Sequence, residues 1–418
     1  MSLRLAVAIA LTAATLLCAG CFGSHETDDV AYILVIGIDQ TPDSNLRVTY
    51  QIATPHGAGG DASGASEKAG GGQSWITNTI EARSPAETRM LLNSTMSRYP
   101  NVSHTTAFIF GEETARAGIG ALLHYLVRTR DFRETLFLVV VRGTAEEYIT
   151  RNKPKLEANI GKYYETFINN NESGYFLRTD LHEFYTRLKI TGSSPFTLYT
   201  GLNPKTGENN PAGPKTPEQV GEPYLPGGIP RTGSENPPEF LGMAVFRGDR
   251  MVGTLDSDET RAVAILLGQF SRGFVGLTDP LQPQEYVTVN LRNGETPKIT
   301  AELNDGTAVF TAEVLIEGEL TGAASGINYE MSPAKELLET QVSQMLEGQM
   351  ARMIRHTQEM GTDPVGFGFY LRAKFRTIDE AGKANMTDIY QRSEVRVKVI
   401  TKIRRSGLMW RTMPIRTE

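Results

Sequence analysis

The longest apolar run in the chain comes first, from Leu5 to Leu17, behind four residues that carry a single cation, Arg4. A bilayer crossing takes about 20 apolar residues in a helix, so this run has the length and the cationic lead of a signal peptide rather than of a span. The later apolar segments are shorter, and their period changes along the chain. Val30 to Asp39 is continuously apolar and predicts a buried strand, while Leu46 to Ile52 alternates and predicts its hairpin partner across Pro42 to Asn45. Gly57 to Gly72, rich in Gly, Ala and Ser, predicts a loop with no core of its own.

Ser84, Pro85 and Glu87 carry the spacing of a capping box and predict a helix through Met96. Thr106 to Phe110 then predicts a strand, Thr114 to Arg128 a helix, Leu136 to Arg142 a strand, and Thr144 to Arg151 a helix. A helical region from Leu156 to Leu188 follows. Alternation of this kind predicts a sheet with helices packed on it. Asn203 to Pro238 is crowded with Pro and Gly and predicts a linker or long excursion.

Beyond it, Phe240 to Phe246 and Met251 to Gly253 predict a hairpin turning at Gly248 and Asp249. Asp256 with Glu259 predicts a capped helix whose Val263, Leu266, Leu267 and Phe270 share a face. The last stretch predicts strands at Val287 to Leu291, Ile299 to Leu303, Ala308 to Leu315 and Val395 to Val399, with a turn at Asn304 to Gly306. One long helix interrupts them. Ser332 is its expected cap, Pro333 its start, Gly361 its stop, and Leu338, Val342, Met345, Leu346, Met353 and Ile354 its buried stripe. The Gly366 to Gly368 turn is expected to enter a strand from Phe369 to Phe375.

These elements define an α+β chain of three domains, each a mixed or antiparallel sheet with packed helices, the last holding the long helix. The division is a signal peptide at 1–20, a tether at 21–29, an N-terminal domain at 30–200 and a linker at 201–238. A small middle domain at 239–280 and a C-terminal α+β domain at 281–418 complete it.

Composition narrows the function classes. A length of 418 residues exceeds one ordinary core. A net charge of −6 gives no electrostatic reason to seek nucleic acid. The cysteines are Cys18 and Cys21 alone, so a body cut before Cys21 has no internal disulfide and no thiolate metal site. Small residues precede Cys21, and the arrangement resembles a lipobox with Cys18 where an aliphatic residue is usual. Three fates are open there: lipidation of Cys21, an ordinary cleaved secretory signal, or an uncleaved anchor. Several acyl chains would hold the body stably at a membrane, whereas one would not.

Catalytic chemistry finds little support. Ser332 and Lys335 have the Ser-x-x-Lys spacing of penicillin-binding enzymes, but Lys205-Thr206-Gly207 precedes it instead of following it. His25, His56, His104, His124, His182 and His356 are scattered without ligand spacing, and Asp28, Asp29, Glu112 and Glu113 read as solvated or helix-start charge. Arg247-Gly248-Asp249 reads as a hairpin turn. No catalytic residue, cofactor or metal is expected, and the ligand-binding residues are unknown.

Several blocks, in order, resemble the Ger(x)C family, the lipoprotein C subunits of GerA-type nutrient receptors of bacterial endospores. They are the lipobox with Ala31 to Asp39 and Tyr50 to Ile52; Ile190 to Phe196; Gly242 to Gly253 with Asp258 to Arg261; Ile316 to Leu320; Asp363 to Gly368; and Val395 to Val399 with Ile403 to Gly407. Phe22 stands where the family often has Trp. The resemblance implies a non-enzymatic subunit, lipid-anchored in the bilayer through Cys21 on the outer face of the inner spore membrane. Its implied partners are a polytopic A subunit and a transporter-like B subunit, the one to which germinant binding is usually assigned. The alternative from the residues alone is a solute-binding lipoprotein of a transport system.

Overall fold

The computed structural model describes residues 4, 26–54, 74–170, 172, 174–204, 223–231, 236–304, 307–409 and 411–412. Cys21, the signal segment apart from Arg4, the Gly57 to Gly72 loop, Lys205 to Gly207 and the Asp305-Gly306 turn therefore lie outside the described residues. Helices and two sheets build an α+β molecule, as the sequence pattern predicts.

The first lobe begins with β1 (Val30–Gln40) and its hairpin partner β2 (Leu46–Ala53). Then follow β3 (Trp75–Ala82), α1 (Pro85–Asn93), β4 (Tyr99–Asn101), β5 (Ala107–Gly111), α2 (Glu112–Ala117), α3 (Gly120–Arg128) and β6 (Phe137–Val141). The lobe continues through α4 (Ala145–Arg151), α5 (Ile160–Asn169), α6 (Leu181–Lys189), β7 (Phe196–Leu202), β8 (Pro238–Arg247) and β9 (Arg250–Leu255). Its strands lie in the order β3-β2-β1-β5-β6-β7-β8-β9, with β4 against the start of β1. The central four, β1, β5, β6 and β7, are parallel, as is β4 to β1, and β2, β3, β8 and β9 pair antiparallel.

Covered faces explain why the central strands read as continuous apolar runs. Phe108 and Phe110 of β5 pack with Leu122, Leu123 and Leu126 of α3 and Phe184 of α6 on one face. Ala107 and Ile109 pack with Ile149 of α4 and Tyr164 of α5 on the other.

After β9 comes α7 (Ser257–Leu266), then a second sheet from β10 (Gly273–Thr278), β11 (Tyr286–Asn293), β12 (Lys298–Asn304) and β13 (Thr307–Ala323). The long helix α8 (Ala334–Met360) and the short α9 (Phe367–Arg372), α10 (Ile378–Lys383) and α11 (Met386–Gln391) precede β14 (Glu394–Arg405). The order is β10-β11-β13-β12, with β14 parallel to β13 on its other edge. Alternation is strict here: Phe310, Ala312, Val314 and Ile316 face α7 and α8, whereas Glu313, Lys398 and Ile400 stand on the opposite, open face.

Several local expectations are altered by the fold. The segment expected as a middle domain, 239–280, is shared out, with β8 and β9 completing the first sheet and β10 opening the second. Residues 114–128 form two helices because Gly118, at φ 118°, breaks the run. The strand expected from Phe369 to Phe375 is instead α9 and the turn after it, since Asp363 accepts hydrogen bonds from the amides of Gly366 and Gly368 and starts a helix there. Ser332 does not cap α8. Its hydroxyl donates to Glu336 at 2.9 Å, and Pro333 holds the cap position without a side-chain bond. The Ser84 cap is present, but Glu87 reaches back to the amide of Arg83 rather than to that of Ser84. Gly361 ends α8 in the left-handed conformation expected of it.

Candidate functional site

A parallel sheet with helices on both faces offers its usual crevice at the carboxyl ends of the strands. Here the protein fills part of that place itself. Asp39, at the end of β1, accepts from the amides of Ala145 at 2.8 Å and Glu146 at 2.9 Å, and so satisfies the first turn of α4. Gly111 at the end of β5 makes this possible, because a Cβ there would stand 2.1 Å from the carboxylate. Burial pushes the Asp39 carboxyl above its ordinary value, against the pull of the two amides.

The densest polar arrangement lies between the lobes, where α7 meets α8. Asp256 caps α7 by accepting from the amides of Asp258 and Glu259, and Glu259 accepts in return from the amide of Asp256. This is a complete capping box. Asp258 then accepts from Arg261 at 2.7 Å and from Gln349 of α8 at 2.9 Å, while Arg261 also donates to Gln349 at 3.1 Å. His356 stands 3.0 Å from Glu259, and Arg352 lies 3.7 Å from both Asp256 and Asp258. Burial raises the carboxyls of Asp256 and Asp258. Three carboxylates thus gather at one helix start facing Arg261, Arg352 and His356; both oxygens of Asp258 and of Glu259 meet protein hydrogen-bonding groups, while Asp256 Oδ2 lies 3.7 Å from Arg352. The cluster can fasten α7 to α8.

Apolar contacts join the lobes more firmly. One continuous core includes Phe196, Met243, Val245 and Leu255 of the first sheet together with α7, the inner face of the second sheet and Leu346, Met350 and Met353 of α8. Gly253 of β9 lets α8 come close, since a Cβ there would meet the Met360 sulfur at 2.2 Å.

A second fastening joins the loop before β7 to the loop after α8. The amide of Ser194 donates to the carbonyl of Asp363, and the amide of Asp363 donates to the Ser194 hydroxyl, each at 2.8 Å. Thr362 donates to the carbonyl of Phe246, and Arg187 to that of Pro364. Asp363 is buried; burial pushes its carboxyl up to about 6, while the amides of Gly368, Gly366 and Phe367 and the charge of Arg187 oppose the rise. Four blocks singled out in the sequence, Ile190–Phe196, Gly242–Gly253, Asp258–Arg261 and Asp363–Gly368, therefore meet at one joint.

Ala31 to Asp39 and Tyr50 to Ile52 lie in β1 and β2 of the first sheet, whereas the blocks in β13 and β14 shape the outer edge of the second. Glu317 of β13 accepts from Arg292 and pairs with Arg404 on the open face. The free edge of β14 is covered by α8: Glu347 accepts from the amide of Val399, Ser343 from that of Thr401, and Glu339 from that of Ile403. Residues four apart on one helix face match alternate amides of the strand, and the unpaired edge is no longer a template for pairing.

The candidate chemistry singled out in the sequence is dispersed. Asp249 of the Arg-Gly-Asp turn accepts from the amide of Gly120 at the start of α3. Glu112 accepts from the Tyr199 hydroxyl, His182 faces Glu134, and His104 packs edge-on against Tyr32. Among the described residues, no group of three His, Cys, Asp or Glu is placed to hold a metal ion, and no helix is long and apolar enough to cross a membrane. Sequence reasoning missed the α8 side chains over β14 and the Ser194–Asp363 pair; each depends on partners more than 50 residues apart.

Fold and joint define a two-lobe body whose distinguishing residues hold it together. Residues 23–202 match the family described as spore germination protein N-terminal domain, and residues 241–407 the one described as spore germination B3/GerAC like, C-terminal. The chain belongs to the Ger(x)C family of spore germination proteins, whose members are non-enzymatic. Among its relatives in Bacillus subtilis (strain 168), the putative spore germination protein YfkR is 23% identical over 95% of this chain and 96% of its own. Spore germination protein KC is 24% identical over 98% and 97%, and spore germination protein B3 is 21% identical over 92% and 93%. The crystal structure of the GerBC protein shares the fold, with a TM-score of 0.51 at 18% identity over 88% of this chain and 96% of that one.

Proposed function

We propose that this protein is the membrane-anchored C subunit of a nutrient germinant receptor, needed for receptor assembly or signalling. It is acylated at Cys21, sits on the outer face of the inner spore membrane, and works beside a polytopic A subunit and a transporter-like B subunit. The observation that carries this reading is the near end-to-end match, in which both halves of the chain fall in spore germination families. The fused body suits the role. A subunit without chemistry acts by holding partners in place or by favouring one of their states, and a body with one shared core can do either. The alternative, a solute-binding lipoprotein, would favour two similar lobes able to close on a ligand; here the lobes differ in topology and share a core.

The anchor is tested by Cys21→Ala. Labelled palmitate should enter the wild type and not the variant, and the variant should leave the membrane fraction. Label in the variant, or wild type recovered soluble, would remove the anchoring half of the reading.

A further inference from the structure

A cavity of about 560 Å³ opens on the first lobe beside the start of β8. Its apolar wall is built from Leu156, Tyr163, Phe167 and Pro238, with Leu156 98% exposed, and its charged lining residues are Lys155, Glu157 and Arg231. The wall is stiffened from behind: Phe167 stacks on Phe176 and lies 4.3 Å from Phe240, centroid to centroid. An aromatic wall set beside placed polar and charged groups, at this volume, suits a small-molecule site.

One of its two cations, Arg231, is held in place before any ligand arrives. Glu239, buried beneath, accepts from the amides of Gly227 and Ile229, from Asn203, and from Arg231 Nε at 2.9 Å. Arg231 Nη2 donates to the carbonyls of Asn236 and Pro237, each at 3.0 Å. Only Nη1 of this cavity-lining guanidinium has no acceptor among the described residues. Burial raises the pKa of the neighbouring Tyr163 hydroxyl, so Tyr163 adds no negative charge; the carboxylate of the lining is Glu157, set against Lys155 and Arg231.

We propose that this cavity binds a small organic carboxylate with a flat or branched apolar body. The body lies against Tyr163 and Phe167, and the carboxylate takes the open Nη1 donor of Arg231. A guanidinium fixed by a buried carboxylate loses little freedom on meeting a ligand, and its charge-assisted bond separates an acid from the matching alcohol.

The probe is 3-phenylpropionate, titrated calorimetrically into the full-length protein in detergent, with 3-phenylpropanol as its uncharged counterpart. The acid should bind, and the alcohol should bind at least about tenfold more weakly. Thr166→Trp adds bulk to the cavity lining and leaves the Arg231–Glu239 pair unsubstituted; it should abolish the signal while leaving the melting temperature in place. Arg231→Gln leaves Glu239 short of a partner, so its fold is checked first by circular dichroism. No binding of the acid, equal binding of the alcohol, or undiminished binding to a folded Thr166→Trp variant would each overturn the proposal.

Discussion

Leu346→Ala tests whether the two lobes are one unit. Leu346 is 1% exposed, and its side chain belongs to the core that also contains Leu255 and Val245 of the first sheet. Truncating a leucine at such a site costs about 3 kcal/mol, the transfer free energy of the lost carbons plus that of the cavity left behind. Unfolding releases about 2.1 cal/mol/K per residue near 60 °C, so a body of about 400 residues melting together has an entropy of about 0.8 kcal/mol/K. The variant's midpoint should then fall by about 4 °C in a single transition. If the second lobe, about 170 residues, melted alone, the same loss would move its midpoint by about 8 °C and leave the first lobe's transition where it was. Differential scanning calorimetry of wild type and variant separates the two cases. Two transitions, with only one displaced by the larger amount, would refute the claim of a common core.

Asp363→Asn should reveal a pH-dependent term at the joint. The wild-type carboxyl is raised by burial to about 6 from 3.8, so the stability this shift contributes is present below the unfolded value and is lost as pH rises through about 6. Urea titrations should show the wild type gaining on the variant by up to about 3 kcal/mol between pH 7.5 and 4; the opposite slope would mean that the amides and Arg187 outweigh burial. Glu339→Ala with Glu347→Ala uncovers the amides of Ile403 and Val399, costing about 1–3 kcal/mol for each unsatisfied donor. Sedimentation should find concentration-dependent self-association of this variant through the bared strand; a strictly monomeric, equally stable variant would show that the helix cover is dispensable.

Much of the fold was legible because local rules and tertiary packing agree. The β1–β2 hairpin, the Asp256 box, the α8 stripe and the Gly361 stop all rest on residues within a few positions of one another. Phe369 to Phe375 was misleading for the opposite reason. Its apolar residues suit a strand, and the helix there depends on a carboxylate earlier in the chain together with Gly192, which leaves room for the backbone of Gly368. The sharing of 239–280 between sheets was equally hidden, because the hairpin finds its neighbour β7 across the Pro-rich excursion. The joint was half visible. Its blocks could be picked out one by one in the sequence, but Ser194 and Asp363 are 169 residues apart, and no periodicity announces such a pair.

The central claim is that this family member serves germination as a receptor subunit and not through chemistry of its own. Spores lacking the protein, exposed to a panel of single nutrients and followed by loss of optical density, give the most direct measurement. The account predicts that the response to the nutrient sensed by the cognate subunits disappears, that calcium dipicolinate still triggers germination, and that restoring the wild-type chain restores the response. Full and equally rapid germination of the deleted spores with every nutrient, in a strain carrying no second receptor of the same specificity, would contradict it.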